Sequence, residues 1–235
     1  MSKNLSIIMV TKDNHEQLGE LICALSDLGY TEKSGEIECI VIDSSTESTR
    51  IRDICNEYEL TYRWQSPSGI YAAMNHGYEN SSCRWLWFMN PGDNPVLSSE
   101  SLLHHLRSSH NILFHAIMFK TRTVTADKKF IRFRNTEIIR NKLVRLYKTS
   151  YCHQGILYNR VNFDVGRRFD EEYKLISDKI LNDDIVNHNS TLVINEILAD
   201  FVVGGVSSNR YSVRKEVNNY FVKRILGLYY RSLDL

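Results

Sequence analysis

One aspartate, Asp93 of the turn NPGD, follows directly on the bulky apolar run WLWFM. A carboxylate fixed in a Pro-Gly turn at the end of a buried strand is placed to hold a hard divalent cation against a phosphate. Such cations take oxygen ligands, and the turn removes the carboxylate's freedom. The same position suits an aspartate that only supports the turn, and spacing leaves both uses open. Two further polar residues close apolar runs: Thr11 ends LSIIMVT and Asp43 ends IECIVID. Ligands of open parallel sheets bind beyond the carboxyl ends of the strands, so Thr11, Asp43 and the Asn90–Asp93 turn are expected on one rim. Other groupings carry less. His104, His105, His110 and His115 lack ligand spacing on one face and read as solvated helix and packed strand. Asp183 and Asp184 are helical neighbours that diverge, and Trp85 and Trp87 alternate on one strand as core. The five cysteines (Cys23, Cys39, Cys55, Cys83 and Cys152) form no CxxC pair. That indicates neither a zinc site nor a disulfide framework, and reduced, mostly packed thiols are expected.

These residues need elements to carry them. Residues 5–11 and 37–43 read as buried strands. Leu18, Leu21, Ile22, Leu25 and Leu28 recur at helical spacing across 17–28. The SSTEST loop caps a helix over 51–58, LTYRW is a short strand, AAMNHGYENS a helix and RWLWFM the next strand. This alternation predicts a largely parallel sheet with helices on both faces. Beyond Asp93 the expected elements are a helix over 98–108, a strand over 111–119 and a hairpin in TRTVTADKKFIRF turning at Ala126-Asp127. A basic helix over 136–148, a helix over 173–187, a strand TLVINEILADFVVG and a terminal helix from about Ser212 follow. One domain with a C-terminal tail is expected.

The formal net charge is +1, from 29 basic and 28 acidic residues among 235. A dedicated nucleic-acid binder would carry a basic excess, so no nucleic-acid partner is expected. No apolar run reaches the roughly 20 residues of a spanning helix, and the N-terminal run is too short for a signal peptide; the chain is therefore expected in the cytoplasm. Arg132, Arg134, Arg140, Lys142, Arg145 and Lys148, interleaved with Phe133, Leu143 and Tyr147, suit an anionic lipid diphosphate, a membrane surface or a plain solvated face. In the tail, Val217, Phe221, Ile225 and Leu228 lie at helical spacing among Lys215, Lys223, Arg224 and Arg231, with Tyr220, Tyr229 and Tyr230 beside them. Such a helix fits an anionic membrane and equally fits docking on the domain or on a second subunit.

Taken in order, LSIIMVTKDN, ECIVIDSST, GIYAAMNHGY, WLWFMNPGD, CHQGILYNR, FDEEYKLISD and FVVGGVSS cover nearly the whole chain. In that order they resemble the family 2 glycosyltransferases of GT-A fold, in the subgroup of bacterial O-antigen, capsule and colanic-acid clusters. The resemblance implies a single Rossmann-like α/β domain over 1–211, with a nucleotide-binding half at 1–93 and an acceptor-binding half at 94–211. An amphipathic helix at 212–235 follows it. Thr11 and Asp43 resemble the positions that meet the uracil and ribose of a UDP-sugar. NPGD resembles the degenerate metal motif, with Asp93 binding Mn2+ or Mg2+ and Asn90 assisting. Gly69 and Asn75 fall in the GIYAAMNHGY motif among the donor contacts. His153 and Gln154 resemble a His-Gln pair near the acceptor, diphosphate or metal. Gly204, Gly205 and Ser207 resemble a GGxS that closes the site, and Asp178 resembles the catalytic base.

The implied reaction is attack of an acceptor hydroxyl on the anomeric carbon of a nucleotide-linked sugar. Charge gathers on the leaving diphosphate while Asp178 takes the hydroxyl proton from the opposite face, which inverts the anomeric centre. Predicted on a helix beside Leu175, Ile176 and Ile180, Asp178 would be partly desolvated. The implied acceptor is an undecaprenyl-diphosphate-linked saccharide, and the implied location is the cytoplasmic face of the inner membrane; association of copies is left open. The chain departs from the pattern at Ala72, where the motif usually carries aspartate, and in a short Ser/Thr loop after Asp43. Two alternatives accompany this reading. A sugar nucleotidyltransferase would carry a glycine-rich loop after the first strand, which TKDNHEQ lacks. A GT-A module without catalysis, binding a nucleotide sugar or a partner enzyme, draws its support from Ala72.

Overall fold

A computed structural model of the chain describes residues 4–31, 35–108, 113–138, 151–188, 190–203 and 210–231. The first half alternates as expected: β1 (Leu5–Thr11), α1 (His15–Asp27), β2 (Ile37–Asp43), α2 (Thr49–Glu57), β3 (Thr61–Trp64), α3 (Ile70–Glu79) and β4 (Trp85–Met89). The second half runs β5 (Asn94–Pro95), α4 (Ser99–Ser108), β6 (Ala116–Val124), β7 (Phe130–Arg134), a 3₁₀ turn (His153–Gly155) and β8 (Ile156–Asn159). It continues through α5 (Val161–Asp164), α6 (Ser177–His188), β9 (Thr191–Val202) and α7 (Arg210–Arg231).

All the strands join one sheet in the order β3-β2-β1-β4-β8-β6-β9-β5, with β7 paired to β6. β1 pairs in parallel with β2 and β4, and β2 with β3, so Thr11 and Asp43 end their strands side by side. β8 runs antiparallel to both β4 and β6, while β6 and β9 are parallel. Every residue of β1 and β4 is buried, because helices cover both faces of the sheet, and this is why those runs read as continuously apolar. On one face Ile7, Met9, Trp85 and Trp87 pack under Leu18, Ile22, Ile51 and Leu102. On the other Ile8, Ile42 and Phe88 pack under Met74, Phe163, Leu181 and Ile185. Each such side chain contributes about 1.5–3 kcal/mol by leaving water.

Two glycines permit close approach. A Cβ at Gly77 would lie 2.2 Å from Ile8 Cγ2, so α3 seats directly on β1. A Cβ at Gly155 would lie 2.2 Å from Thr121 Oγ1 and 2.8 Å from the Phe119 carbonyl oxygen, so the 3₁₀ turn lies flush on β6.

The expected boundaries need correction in four places. β6 begins at Ala116 and runs on through Val124, since the β-branched Thr121, Thr123 and Val124 extend the apolar run. The hairpin does turn at Ala126-Asp127, where the Lys128 N–H donates to the Thr125 carbonyl at 2.9 Å. β5 and α5 are added. The helix expected from Tyr173 begins at Ser177, because the Lys174 and Leu175 N–H groups donate to a side chain of α7. Most of the basic helix expected over 136–148 lies outside the described residues, as do Gly204, Gly205 and Ser207. Among the described residues no helix is long and apolar enough to cross a membrane.

Candidate active site

Thr11 and Asp43 sit where β1 and β2 end, and both are buried. Asp43 Oδ1 accepts the Ser45 N–H at 2.8 Å and Oδ2 accepts the Tyr62 hydroxyl at 2.9 Å. The Ser44 N–H donates to the Thr11 carbonyl at 3.0 Å. The Asp13 N–H donates to Ser45 Oγ at 2.7 Å and the Thr46 N–H to Asp13 Oδ1 at 3.1 Å, which ties the loops after β1 and β2 together. Two atoms here are orphans: Ser44 Oγ and Gln65 Nε2 are buried without a hydrogen-bond partner. A buried polar group left unpaired costs about 1–3 kcal/mol, a cost that a polar ligand would relieve. Trp64 ends β3 beside Asp43. Its indole N–H donates to the Ser45 carbonyl at 3.1 Å, yet 51% of the residue is exposed. Sequence reading missed Trp64 and Gln65; the available signal was a large aromatic at the last position of a strand that enters the rim.

A second group gathers at the end of β4. Asp93 folds back on its own turn, with Oδ2 accepting the Asn90 N–H at 2.7 Å and Oδ1 accepting Gln154 Nε2–H at 3.0 Å. Gln154 is fixed in turn, because its carbonyl accepts the Trp87 indole N–H at 2.8 Å. The buried Trp87 thus anchors the site as well as filling the core. Asn135 clamps Cys152 through its N–H at 2.9 Å and its carbonyl at 2.8 Å. The chain is thereby set to present His153 and Gln154 toward Asp93.

Asn90, His153, Asp178 and Tyr71 then form a line. Asn90 Nδ2 lies 3.2 Å from His153 Nε2, and His153 Nδ1 lies 3.2 Å from Asp178 Oδ2. The Tyr71 hydroxyl donates to Asp178 Oδ1 at 2.9 Å. The partners select the tautomer: Nδ1–H donates to Asp178 and Nε2 accepts from Asn90. Asp178 lies in the first turn of α6, where the helix dipole favours a carboxylate. Burial works against its charge, but His153, the Tyr71 hydroxyl and the Lys179 N–H together hold it below the usual carboxylate range. Burial likewise disfavours an imidazolium at His153, but the Asp178 hydrogen bond and the charges of Asp178 and Asp93 raise its pKa above the ordinary value. Burial pushes the Asp93 carboxyl up to about 6.

Two positions taken from the GIYAAMNHGY motif turn out differently from each other. Gly69 has a φ of 108° and hands the chain into α3, whose N-terminus has no side-chain cap. Asn75 is occupied: Nδ2 donates to the Phe169 carbonyl at 2.9 Å and to Glu171 Oε1 at 2.8 Å, while Oδ1 accepts the Phe169 N–H at 3.0 Å. In this structure its amide holds the segment leading to Asp178. Other side chains set aside earlier are structural: Arg167 pairs with Asp184 at 2.6 Å, and His105 meets Glu196 at 2.8 Å.

Among the described residues no group of three His, Cys, Asp or Glu side chains forms a metal cage. The rim does offer the Asp93 carboxylate and, next to it, Asn90 Oδ1, which is buried and unpartnered. One carboxylate and one orphan amide oxygen fit a divalent cation whose remaining ligands come from a diphosphate and water.

The family model described as glycosyl transferase family 2 matches residues 6–164. No curated protein matches the sequence significantly. Among solved structures, S. aureus TarS 1–349 in complex with UDP-GlcNAc superposes with a TM-score of 0.67 at 17% identity, covering 88% of this chain and 61% of that one. The mannosyltransferase PcManGT from Pyrobaculum calidifontis, in complex with GDP-Man and Mn2+, gives a TM-score of 0.64 at 12% identity, covering 92% of this chain and 61% of that one. The longer TarS structure is covered over only 37% of its length. The chain thus spans between about a third and three-fifths of these neighbours, and at such identities they share its fold.

Proposed function

The chain belongs to glycosyl transferase family 2, and from that premise we propose that it transfers a sugar from a UDP-linked donor, with inversion, to a lipid-diphosphate-linked saccharide. The setting we propose is bacterial surface-polysaccharide assembly of the O-antigen or capsule type, at the cytoplasmic face of the inner membrane. The observation that carries the reading is the continuous line from the Asp93 turn through Asn90 and His153 to Asp178. It sets a diphosphate-facing carboxylate and a proton acceptor at two ends of one network. In this reading residues 1–93 form the donor half and 94–211 the acceptor half.

The uracil lies at the β1–β3 rim by Thr11 and Asp43, against the exposed ring of Trp64. Ser44 Oγ and Gln65 Nε2 are then the unpaired groups available to its edge. Gly69 and the uncapped start of α3 present backbone N–H groups, which favour an anion. Asp93 and Asn90 Oδ1 would hold Mn2+ or Mg2+, which would neutralise charge on the leaving diphosphate. Asp178 accepts the acceptor-hydroxyl proton; Tyr71 and His153 orient its carboxylate, and Gln154 orients that of Asp93. Gly205 and Ser207 keep the closing role the resemblance gives them. The hydrogen bonds among Asp178, His153, Asn90 and Asp93 are made without position 72, and an aspartate in place of Ala72 would add a donor contact to this set.

UDP is expected to raise the melting temperature weakly alone and clearly with Mn2+ or Mg2+, because one protein carboxylate leaves much of the metal shell to the diphosphate. A ligand at about 100 times its Kd stabilises by about 2.7 kcal/mol. Greater stabilisation by GDP, CMP or dTDP under the same conditions would overturn the UDP assignment.

Membrane contact draws its support from the β6–β7 hairpin. Phe130, Ile131 and Phe133 are 55%, 47% and 47% exposed, beside Lys128, Lys129 and Arg132. Apolar side chains among cations suit an anionic lipid surface. Replacing Phe130 and Phe133 with serine is expected to weaken sedimentation with phosphatidylglycerol vesicles at moderate salt. Unchanged sedimentation would remove the hairpin as the contact.

A further inference from the structure

The segment from Phe169 to Ile176 delivers Asp178 to the site, and it is held from both sides. From the sheet side, Asn75 grips the Phe169 backbone through both amide ends. The Tyr71 ring also stacks on Phe169 at 5.7 Å and 16°. From the other side comes α7, the helix for which the sequence left membrane and domain both open. Glu216 of α7 accepts two consecutive main-chain N–H groups, that of Lys174 at 3.0 Å on Oε1 and that of Leu175 at 2.9 Å on Oε2. One turn further, Tyr220 meets Tyr173 edge-on with centroids 5.9 Å apart. Lys223 Nζ then reaches Glu172 Oε2 at 2.8 Å. Positions 216, 220 and 223 share one face of a helix, and all three address the same loop.

The two N–H groups lie just before the start of α6, where no preceding turn supplies an acceptor. A single carboxylate that accepts both fixes two successive peptide planes, and Asp178 follows three residues after Leu175. We propose that Glu216 is a positioning residue for Asp178, so that α7 completes the active site by holding the loop that aims the base. The inference rests on reading Asp178 as the base. Its physical content is geometric: a misplacement of about 1 Å at a reacting group costs about 10²-fold in rate, whereas the donor rim at β1–β3 lies on other elements.

The test uses the full chain, Glu216→Ala, Glu216→Gln and, as a control on the same helix, Lys215→Ala. UDP affinity is measured with Mn2+. UDP release is measured as donor hydrolysis, with water in place of the acceptor hydroxyl, on whichever of UDP-glucose, UDP-galactose or UDP-GlcNAc stabilises the wild-type protein most. Amide hydrogen exchange of the 170–178 segment is followed in each variant. Glu216→Ala is expected to lower kcat about 10–100-fold, to leave UDP affinity within about twofold, and to speed exchange at Lys174 and Leu175. Glu216→Gln, with one acceptor oxygen left, should fall between, and it carries the test if the alanine variant does not fold. Lys215→Ala should match wild type. Unchanged exchange at Lys174 and Leu175 would overturn the proposal, as would a kcat loss matched by equal losses of UDP affinity and Tm. A separate arm guards the premise. If Asp178→Asn keeps full turnover the base reading fails, whereas loss in Asp178→Asn with none in Glu216→Ala sinks the positioning role alone.

Discussion

Asp93→Ala is expected to lose Mn2+-dependent UDP binding and sugar transfer together, with transfer down by at least about 10²–10³, the usual worth of charge stabilisation aimed at a leaving group. The substitution removes the only carboxylate in the NPGD turn and with it the acceptors for the Asn90 N–H and Gln154 Nε2. Asp93→Asn separates the two uses of this residue. Its amide oxygen still accepts the Asn90 N–H, so the turn is kept while the charge is lost. Calorimetry with UDP, with and without Mn2+, reads the difference. If Asp93→Asn retains metal-dependent UDP binding, Asp93 is only a turn residue and the cation must be held elsewhere.

Asp178→Asn has the opposite signature. UDP and Mn2+ are expected to bind as in the parent, within about twofold, while turnover is expected to fall by about 10²–10⁴, the range of positioned general-base catalysis. The amide oxygen can still accept one of the two bonds now made by Tyr71 and His153, so the shape of the site survives, but an amide accepts no proton. Near-normal turnover would move the base to Asp170, Glu171 or Glu172. Each of these already accepts a hydrogen bond, Asp170 from the Glu172 N–H, Glu171 from Asn75 and Glu172 from Lys223, so single alanine variants of the three would decide between them.

The strand ends were legible in the sequence because β1, β2 and β4 are buried on both faces and stop at polar residues. Continuous apolar runs with Thr11, Asp43 and Asn90 behind them leave little else for the chain to do. His153 and Gln154 were found through a motif, not through periodicity, since a three-residue 3₁₀ turn has too few positions to show a period. The start of α6 was misplaced because apolar spacing alone counts Tyr173, Ile176 and Ile180 as helical. What delays the start of the helix is Glu216, 42 residues from Lys174, and no local pattern reveals a partner so distant. The structural role of Asn75 was hidden for a related reason. An asparagine on a motif helix has the chemistry of a ligand contact, and only the fold reveals that Phe169 uses both of its amide ends. Trp64 and Gln65 were passed over as the tail of a short strand, since exposure at a rim depends on what the neighbouring strands leave uncovered.

β8 has a mechanical consequence. Four residues long, it pairs with β4 through Trp85↔Asn159 and Leu86↔Tyr158, and with β6 through Ala116↔Tyr158, Ile117↔Leu157 and Met118↔Ile156. Tyr158 is thus stitched to both neighbours at once, and the first and second halves of the chain share a single rigid plank at this seam. His153 and Gln154 ride immediately before it, so the placement of the His-Gln turn between Asp93 and Asp178 is set by hydrogen-bond register. A slip of one residue in β8 would turn Tyr158 and Ile156 to the opposite face and carry the His-Gln turn out of line with Asp93 and Asp178 in the same movement. In such a body the distance between Asp93 and Asp178 is fixed when the chain folds.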